Sequence, residues 1–204
     1  MHFLVPSFHH DIAYLRSEKE YTAGCMLILD EAIRILSENP DYYYFVEQAW
    51  LLEEYWDARP QKRDMMRKLA KEGRLCMEPG FYAVPDMTLP DGESIYMQAA
   101  FGKKIVKDTL GTEPSVAMIT DCWGHHAQLP QILSQCGYEY YAFSRCMRRD
   151  VDRQNFVWRG VDGSTLKTHW MSTHYDGIRF PTNVKAENAE ELEWAEGGKR
   201  ASAS

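Results

Sequence analysis

Residues 5–15 read VPSFHHDIAYL, an apolar run that leads directly into a His-x-Asp pair. Residues two apart in an extended backbone point to the same side, so we expect His9 and Asp11 to converge while His10 faces away. A histidine nitrogen beside an aspartate oxygen suits a zinc ion. A His-x-Asp pair at the end of a strand is also a common hydrogen-bonded turn, so a metal site needs support from elsewhere in the chain.

Predicted strands and helices alternate along the sequence. Strands are predicted at residues 3–6, 43–46, 75–77, 116–119 and 140–143, and helices between Glu18 and Asn39, between Pro60 and Gly73, and at residues 94–110 and 129–135. This alternation predicts parallel β/α units in an α/β protein. His9, Asp11, Asp86 and Asp121 each follow a predicted strand, which places them at the carboxyl edge of the sheet, where such folds build their sites.

Three further segments support a functional site at that edge. They are residues 78–94, which read EPGFYAVPDMTLPDGES, residues 120–133, which read TDCWGHHAQLPQIL, and residues 158–164, which read WRGVDGS. Together with the His-x-Asp pair, these segments resemble the amino-terminal catalytic domain of the family 38 glycoside hydrolases, the α-mannosidase family, over residues 3–180. The resemblance implies a seven-stranded β/α barrel, incomplete at its carboxyl-terminal end, over residues 1–185. Residues 186–204 are acidic at first, and we expect them to form a frayed or disordered tail.

The resemblance also implies a set of catalytic and metal-binding residues. It assigns His9, Asp11 and Asp86 as ligands of one zinc ion or another divalent metal, and it makes Asp86 the nucleophile as well. Asp121 matches the general acid/base, although an aspartate before a helix can equally act as its cap. Retaining glycosidases hold such a carboxyl pair about 5 to 5.5 Å apart.

The resemblance implies several substrate-binding residues. Tyr14 stands where the family has tryptophan, and Trp123 stands where it has phenylalanine. His125 is either a substrate contact or a hydrogen-bonded structural histidine. Tyr175 and Asp176 fall near a family segment that lines the substrate site.

A fourth zinc ligand of the family, a histidine, lies in a segment beyond residue 204. We therefore expect this chain to be a short member or a fragment that binds zinc weakly. A second copy of the chain, or a partner chain, would then cover the open edge of the barrel.

Composition narrows the possible partners and location. A formal net charge of −7 argues against nucleic acid and membrane surfaces as partners, and a carbohydrate substrate remains compatible with it. Five cysteines without a Cys-x-x-Cys pair favour free thiols in a reducing compartment. No signal peptide or run of about 18 apolar residues is seen, so we predict a cytoplasmic protein.

These observations favour a metal-dependent, retaining α-mannosidase-type glycosidase that hydrolyses terminal α-mannose from a small glycan. A truncated, non-catalytic module that binds a sugar or a partner protein is the alternative. A metal-dependent carbohydrate deacetylase ranks last, because the sequence lacks a His-x-x-x-His ligand pair.

Overall fold

The computed structural model describes residues 6–12, 14, 17–147, 153–172 and 175. The strands are β1 (Ser7–Phe8), β2 (Tyr44–Val46), β3 (Leu75–Cys76), β4 (Val116–Ile119), β5 (Tyr140–Phe143), β6 (Asn155–Arg159) and β7 (Thr165–Trp170). The α-helices are α1 (Glu18–Glu38), α2 (Ala49–Ala58), α3 (Arg63–Lys71), α4 (Gly92–Leu110) and α5 (Leu129–Gln135), with a 3-10 turn at Pro60–Lys62 before α3. The α/β class predicted from the sequence is confirmed. The predicted tail at residues 186–204 lies outside the described residues.

The described strands form two sheets. The first is parallel, in the order β1-β2-β3, and the second has the order β4-β5-β7-β6, in which only β6 runs antiparallel to its neighbour. A closed seven-stranded barrel is therefore not seen in the part of the chain that the structure describes. The Glu78 carboxylate spans the gap between β3 and β4 by accepting hydrogen bonds from the backbone N–H groups of Ser115 (2.9 Å) and Val116 (3.1 Å).

Each sheet has its own hydrophobic core. Helices α1, α2 and α3 cover the first sheet, and their buried residues pack with Tyr44, Val46 and Leu75. Helix α5 and the first part of α4 pack with Ile119, Tyr141 and other buried residues of the second sheet. The last part of α4, with Val106 and Leu110, packs in the first core, so α4 joins the two. Alternate strand residues on the opposite face of the second sheet remain exposed, as at Val157, because no described helix covers them.

Helix α1 begins and ends where its sequence predicts. The Ser17 side chain accepts from the Glu20 backbone N–H while the Glu20 carboxylate accepts from the Ser17 backbone N–H, which forms a capping box. The buried residues of α1 recur at helical spacing, and Asn39 follows the last turn before Pro40. The buried face of this helix belongs to the core that contains Tyr44 and Val46 of β2.

Helix α4 lies unusually close to the loop that precedes it. A Cβ atom on Gly102 would collide with the backbone of residues 80–82, so only glycine fits at this helix position. The Asp91 side chain caps the helix at its start, and Gly111 ends it in the left-handed conformation with a φ of 76°. The close packing fixes the path of the loop that carries Asp86.

Strand β1 lies at Ser7–Phe8, after the predicted range 3–6, of which residues 3–5 lie outside the described residues. Two further elements of the fold were not predicted from the sequence. Residues 49–58 form α2, which was not predicted, because Ala49, Trp50, Leu51, Leu52 and Tyr55 are buried on nearly every side and hide the helical period. The hairpin of β6 and β7 was not predicted either, and it places an antiparallel strand at the edge of the second sheet.

Candidate functional site

The imidazole of His9 lies among three acidic side chains. Its Nδ1 is 2.8 Å from Glu47 Oε2. Its Nε2 is 3.5 Å from Asp11 Oδ1 and 3.6 Å from Asp121 Oδ2. The structure thus brings His9 and Asp11 together, as the alternation of an extended backbone predicts, and it adds Asp121 from the end of β4.

His10 faces away from this cluster. It is 5% exposed, its Nδ1 is 3.2 Å from the Cys25 Sγ, and its ring packs edge-on against Tyr21. The buried His10 therefore anchors the segment and fixes which of the two histidines enters the site.

The surroundings of His9 favour its charged form. Burial lowers its pKa, but the hydrogen bond and charge of Glu47, together with the charge of Asp11, outweigh burial, so the pKa of His9 is raised above 6.5. Three buried side-chain atoms of the described residues have no hydrogen-bond partner, namely His9 Nε2, His10 Nε2 and Ser144 Oγ, and of these His9 Nε2 faces the Asp11 and Asp121 carboxylates. A buried polar atom without a partner is uncommon in proteins and calls for a ligand or another explanation.

Asp121 is held by two donors. Its Oδ1 accepts from Arg145 Nε, and its Oδ2 accepts from the Tyr175 hydroxyl at 2.8 Å. The Arg145 guanidinium also lies 4.7 Å from the centre of the Trp123 ring. Donors on both oxygens stabilise a carboxylate in its ionised form.

Asp86 makes different contacts. Its Oδ1 accepts from the Thr88 backbone N–H at 3.0 Å and from the Thr88 hydroxyl at 2.8 Å. Burial raises the pKa of the neighbouring Cys122 thiol to about 11, and the Asp86 charge adds to that shift. Asp86 thus lies near Cys122, the residue that follows Asp121. The described contacts of His9 do not include Asp86. The expected grouping of His9, Asp11 and Asp86 stays a prediction, and Asp86 lies on the loop of residues 77–91 between β3 and α4.

The chemistry of the cluster fits a divalent metal in part. Ligand atoms about 2.1 Å from a tetrahedral zinc ion lie about 3.4 Å from one another. The separations of 3.5 and 3.6 Å from His9 Nε2 to the two carboxylates are close to that value. As placed, no group of three or more His, Cys, Asp or Glu side chains in the described part of the chain converges as a complete metal site. The Asp11 side chain is 53% exposed.

The predicted substrate residues fall into different environments. Tyr14 is 74% exposed and Trp123 is 70% exposed, and Trp123 lies beside the site through its contact with Arg145. Tyr175 contacts both Asp121 and the His9 ring, whose centre is 4.9 Å from that of Tyr175. Asp176 lies outside the described residues.

His125 has both ring nitrogens occupied by the protein. Its Nε2 donates to the Arg145 carbonyl oxygen at 2.9 Å, and its Nδ1 accepts from the Tyr141 hydroxyl at 3.0 Å. Burial lowers the pKa of His125, which keeps the ring neutral. Of the two roles considered for His125, this placement favours the structural one, in which it fixes the backbone at Arg145.

Sequence reasoning missed three residues of the cluster. These are Glu47, Thr120 and Arg145, each of which follows a strand of one of the two sheets. The same rule that selected His9 and Asp121 applies to them, since polar residues just beyond parallel strands meet at one edge. Of the three, Glu47 could most readily have been predicted from the sequence, because its carboxylate comes directly after the buried strand β2.

Fold and site together define an α/β domain with a histidine and carboxylate cluster at the carboxyl ends of its parallel strands. Residues 1–198 match the family model described as Glycosyl hydrolases family 38 N-terminal domain, and the chain belongs to that family. The mouse (Mus musculus) protein named Alpha-mannosidase 2C1 is 27% identical over 165 residues, which cover 79% of this chain and 16% of the mouse protein. The Drosophila melanogaster protein named Alpha-mannosidase 2 is 26% identical over 181 residues, which cover 83% of this chain and 16% of the relative.

A solved structure shows the same fold. The crystal structure of an alpha-mannosidase from Enterococcus faecalis V583 superposes with a TM-score of 0.84 at 18% identity, covering 96% of this chain and 22% of that one. The chain thus spans about a sixth of the length of the curated relatives named above. No described helix is long and apolar enough to cross a membrane.

Proposed function

We propose that this chain carries the metal-binding and nucleophile half of a retaining α-mannosidase-type glycosidase that removes terminal α-linked mannose from a small glycan. The observation that carries the proposal is the buried, unpartnered His9 Nε2, which faces Asp11 and Asp121 at ligand-to-ligand distance. Membership of the family and the names of its relatives support the reaction class.

In this proposal His9, Asp11 and Asp121 hold one zinc ion or another divalent cation. A bound divalent cation would supply Lewis-acid polarisation and charge at the reacting centre. The family resemblance gives Asp86 as third ligand and nucleophile, and that assignment stays a prediction. This proposal instead puts Asp121 in both roles, because its Oδ2 lies 3.6 Å from His9 Nε2. In this proposal the hydrogen bonds from Arg145 and Tyr175 stabilise the ionised form of Asp121 and fix the orientation of its carboxylate. An ionised carboxylate is the form that attacks an anomeric carbon.

Other residues complete the proposed site. In this proposal Asp86, which lies near Cys122, takes the acid/base role that the resemblance gives to Asp121, protonating the leaving oxygen and then activating water. The exposed ring of Trp123 offers a stacking surface for the apolar face of a pyranose. Tyr14, Tyr175 and Asp176 stay predicted substrate contacts.

Turnover of an aryl α-mannoside in the presence of zinc tests the function, and the anomer of the first-formed mannose, read by proton NMR, tests retention. We expect α-mannose as the first product, and expect turnover to be lost in the Asp121→Asn variant. Mannose binding without turnover in the wild type would support the non-catalytic sugar-binding module instead. Turnover that is unchanged in Asp121→Asn would contradict the role given to this residue.

The proposal also concerns the location of the protein in the cell and the chain that covers its open sheet. All five cysteines have free thiols, which suits the predicted cytoplasmic location. Cell fractionation tests this location.

The open face of the second sheet exposes Val157, and we propose that a second copy or a partner chain covers it. Light scattering that shows a monodisperse monomer over a wide concentration range would rule out the second copy.

A further inference from the structure

Glu47 is a buried carboxylate at the centre of the cluster. It is 3% exposed and follows β2 directly. Burying a charged carboxylate is costly unless hydrogen bonds and opposite charge compensate for the lost water. The contacts that compensate for Glu47 therefore indicate what it does.

Each Glu47 oxygen has its own partner. Oε2 lies 2.8 Å from His9 Nδ1, and Oε1 accepts from the Thr120 hydroxyl at 2.6 Å. Because an ionised carboxylate can only accept hydrogen bonds, the His9 Nδ1 must carry the hydrogen. In the neutral ring, Nε2 then has the free lone pair, and Nε2 is the buried atom that faces Asp11 and Asp121.

The second contact reaches another strand. Thr120 is 6% exposed and stands between the end of β4 and Asp121. Its hydroxyl oxygen also lies 3.3 Å from His9 Nδ1. Glu47 thus ties the residue before Asp121 to the ring of His9, and it joins one side chain from each sheet.

We propose that Glu47 is a positioning residue, whose carboxylate selects the His9 tautomer that presents Nε2 to a cation and, through Thr120, fixes the strand end that carries Asp121. The inference rests on the metal site of the proposed function. Carboxylates that hold the second nitrogen of a ligating histidine orient the ring and make it a better ligand, and their loss typically weakens metal binding by about 10- to 100-fold.

The Glu47→Gln variant tests this role with little change in shape. A glutamine side chain has one accepting oxygen and one donating NH2 group, so it cannot accept from His9 and Thr120 through separate oxygens, as the carboxylate does. If the oxygen stays on the Thr120 hydroxyl, the NH2 group faces His9 Nδ1 and drives the hydrogen to Nε2, where it blocks a metal. Glu78→Gln is the matched control, because Glu78 also joins two strands, but at the amino end of β4.

Zinc affinity is measured for the full chain by competition with a chromophoric chelator. We expect Glu47→Gln to bind zinc about 10- to 100-fold more weakly than wild type, and Glu78→Gln to bind within about twofold of it. Thermal unfolding of the metal-free proteins checks that both variants fold. Equal affinity of Glu47→Gln and wild type would overturn the role of Glu47 while leaving the metal site intact.

The tautomer is read separately in the metal-free proteins from the imidazole nitrogen-15 shifts, recorded at a pH high enough that the His9 shifts no longer change and its ring is neutral. We expect the hydrogen of His9 on Nδ1 in wild type and on Nε2 in Glu47→Gln. A hydrogen on Nε2 in wild type would overturn the inference even if no zinc binds. Absence of zinc binding in wild type would instead contradict the metal site of the proposed function.

Discussion

Exchanging Asp121 for asparagine tests whether Asp121 or Asp86 is the third metal ligand. The variant loses the charge that Arg145 and the Tyr175 hydroxyl contact, while the Asp121 side chain is 17% exposed and that of Arg145 is 29% exposed. A charge-assisted hydrogen bond at this partial burial contributes about 1–2 kcal/mol. For a domain of this size each kcal/mol shifts the midpoint of thermal unfolding by about 2–4 °C. We therefore expect the metal-free Asp121→Asn variant to unfold about 2–8 °C below wild type.

The matched variant Asp86→Asn should behave differently. An asparagine oxygen can still accept from the Thr88 backbone and hydroxyl, so its stability should stay within about 0.5 kcal/mol of wild type. Zinc at about 100 times its dissociation constant stabilises the folded state by about 2.7 kcal/mol.

Differential scanning fluorimetry with and without zinc is the assay. We expect zinc to raise the unfolding midpoint of wild type and Asp86→Asn by about 5–11 °C, and to leave Asp121→Asn nearly unchanged. The opposite pattern, with the zinc response lost in Asp86→Asn and kept in Asp121→Asn, would refute the reasoning from the His9 contacts.

Three further outcomes are expected. Gly102→Ala should lower the free energy of unfolding, measured by chemical denaturation, by about 2–3 kcal/mol, because its Cβ meets the backbone of residues 80–82. Gly24→Ala in α1, where a Cβ has open space, should be neutral or stabilising, and similar effects of the two variants would count against that packing. Because the pKa of His125 is lowered, the folded protein favours the neutral ring, and the contribution of this ring to stability is present above about pH 6.5 and is lost as the pH falls. The difference in stability between wild type and His125→Gln should therefore shrink below that pH. A difference that grows as the pH falls would contradict the direction of the pKa shift. Trp123→Ala should leave the unfolding midpoint nearly unchanged, because the ring is 70% exposed, yet raise the KM for an aryl α-mannoside several-fold; an unchanged KM would remove Trp123 from the sugar site.

Most of the regular structure could be predicted from local patterns. The bounds of β4, α5 and β5 match the predicted ranges, and α4 differs only at its first residues. These elements combine a clear apolar period with caps or glycine at their ends. By contrast α2 is apolar on nearly all sides, so its sequence carries no period that separates helix from strand. The alternation of β7, with Leu166 and Thr168 buried between exposed neighbours, is a strand signal that the prediction did not use.

The site was predictable as far as strand ends determine it. His9 and Asp121 follow β1 and β4, and the structure brings both to one edge. Which carboxylate reaches His9 depends on distances across the fold, and local sequence does not contain these. Asp86 illustrates the limit, since it follows β3 in sequence but lies at the far part of a long loop.

The separation of the core into two parts has a consequence for cooperativity. His9, Asp11 and Glu47 belong to the half built on the first sheet, whereas Thr120, Asp121 and Arg145 belong to the half built on the second. Between β3 and β4 the ladder of backbone hydrogen bonds is interrupted, and Glu78 spans the gap. Helix α4 packs in both cores, and a cation held by His9 and Asp121 would add a further cross-link between the two halves. Hydrogen exchange should then show the two halves opening together more strictly when the cation is bound than when it is removed.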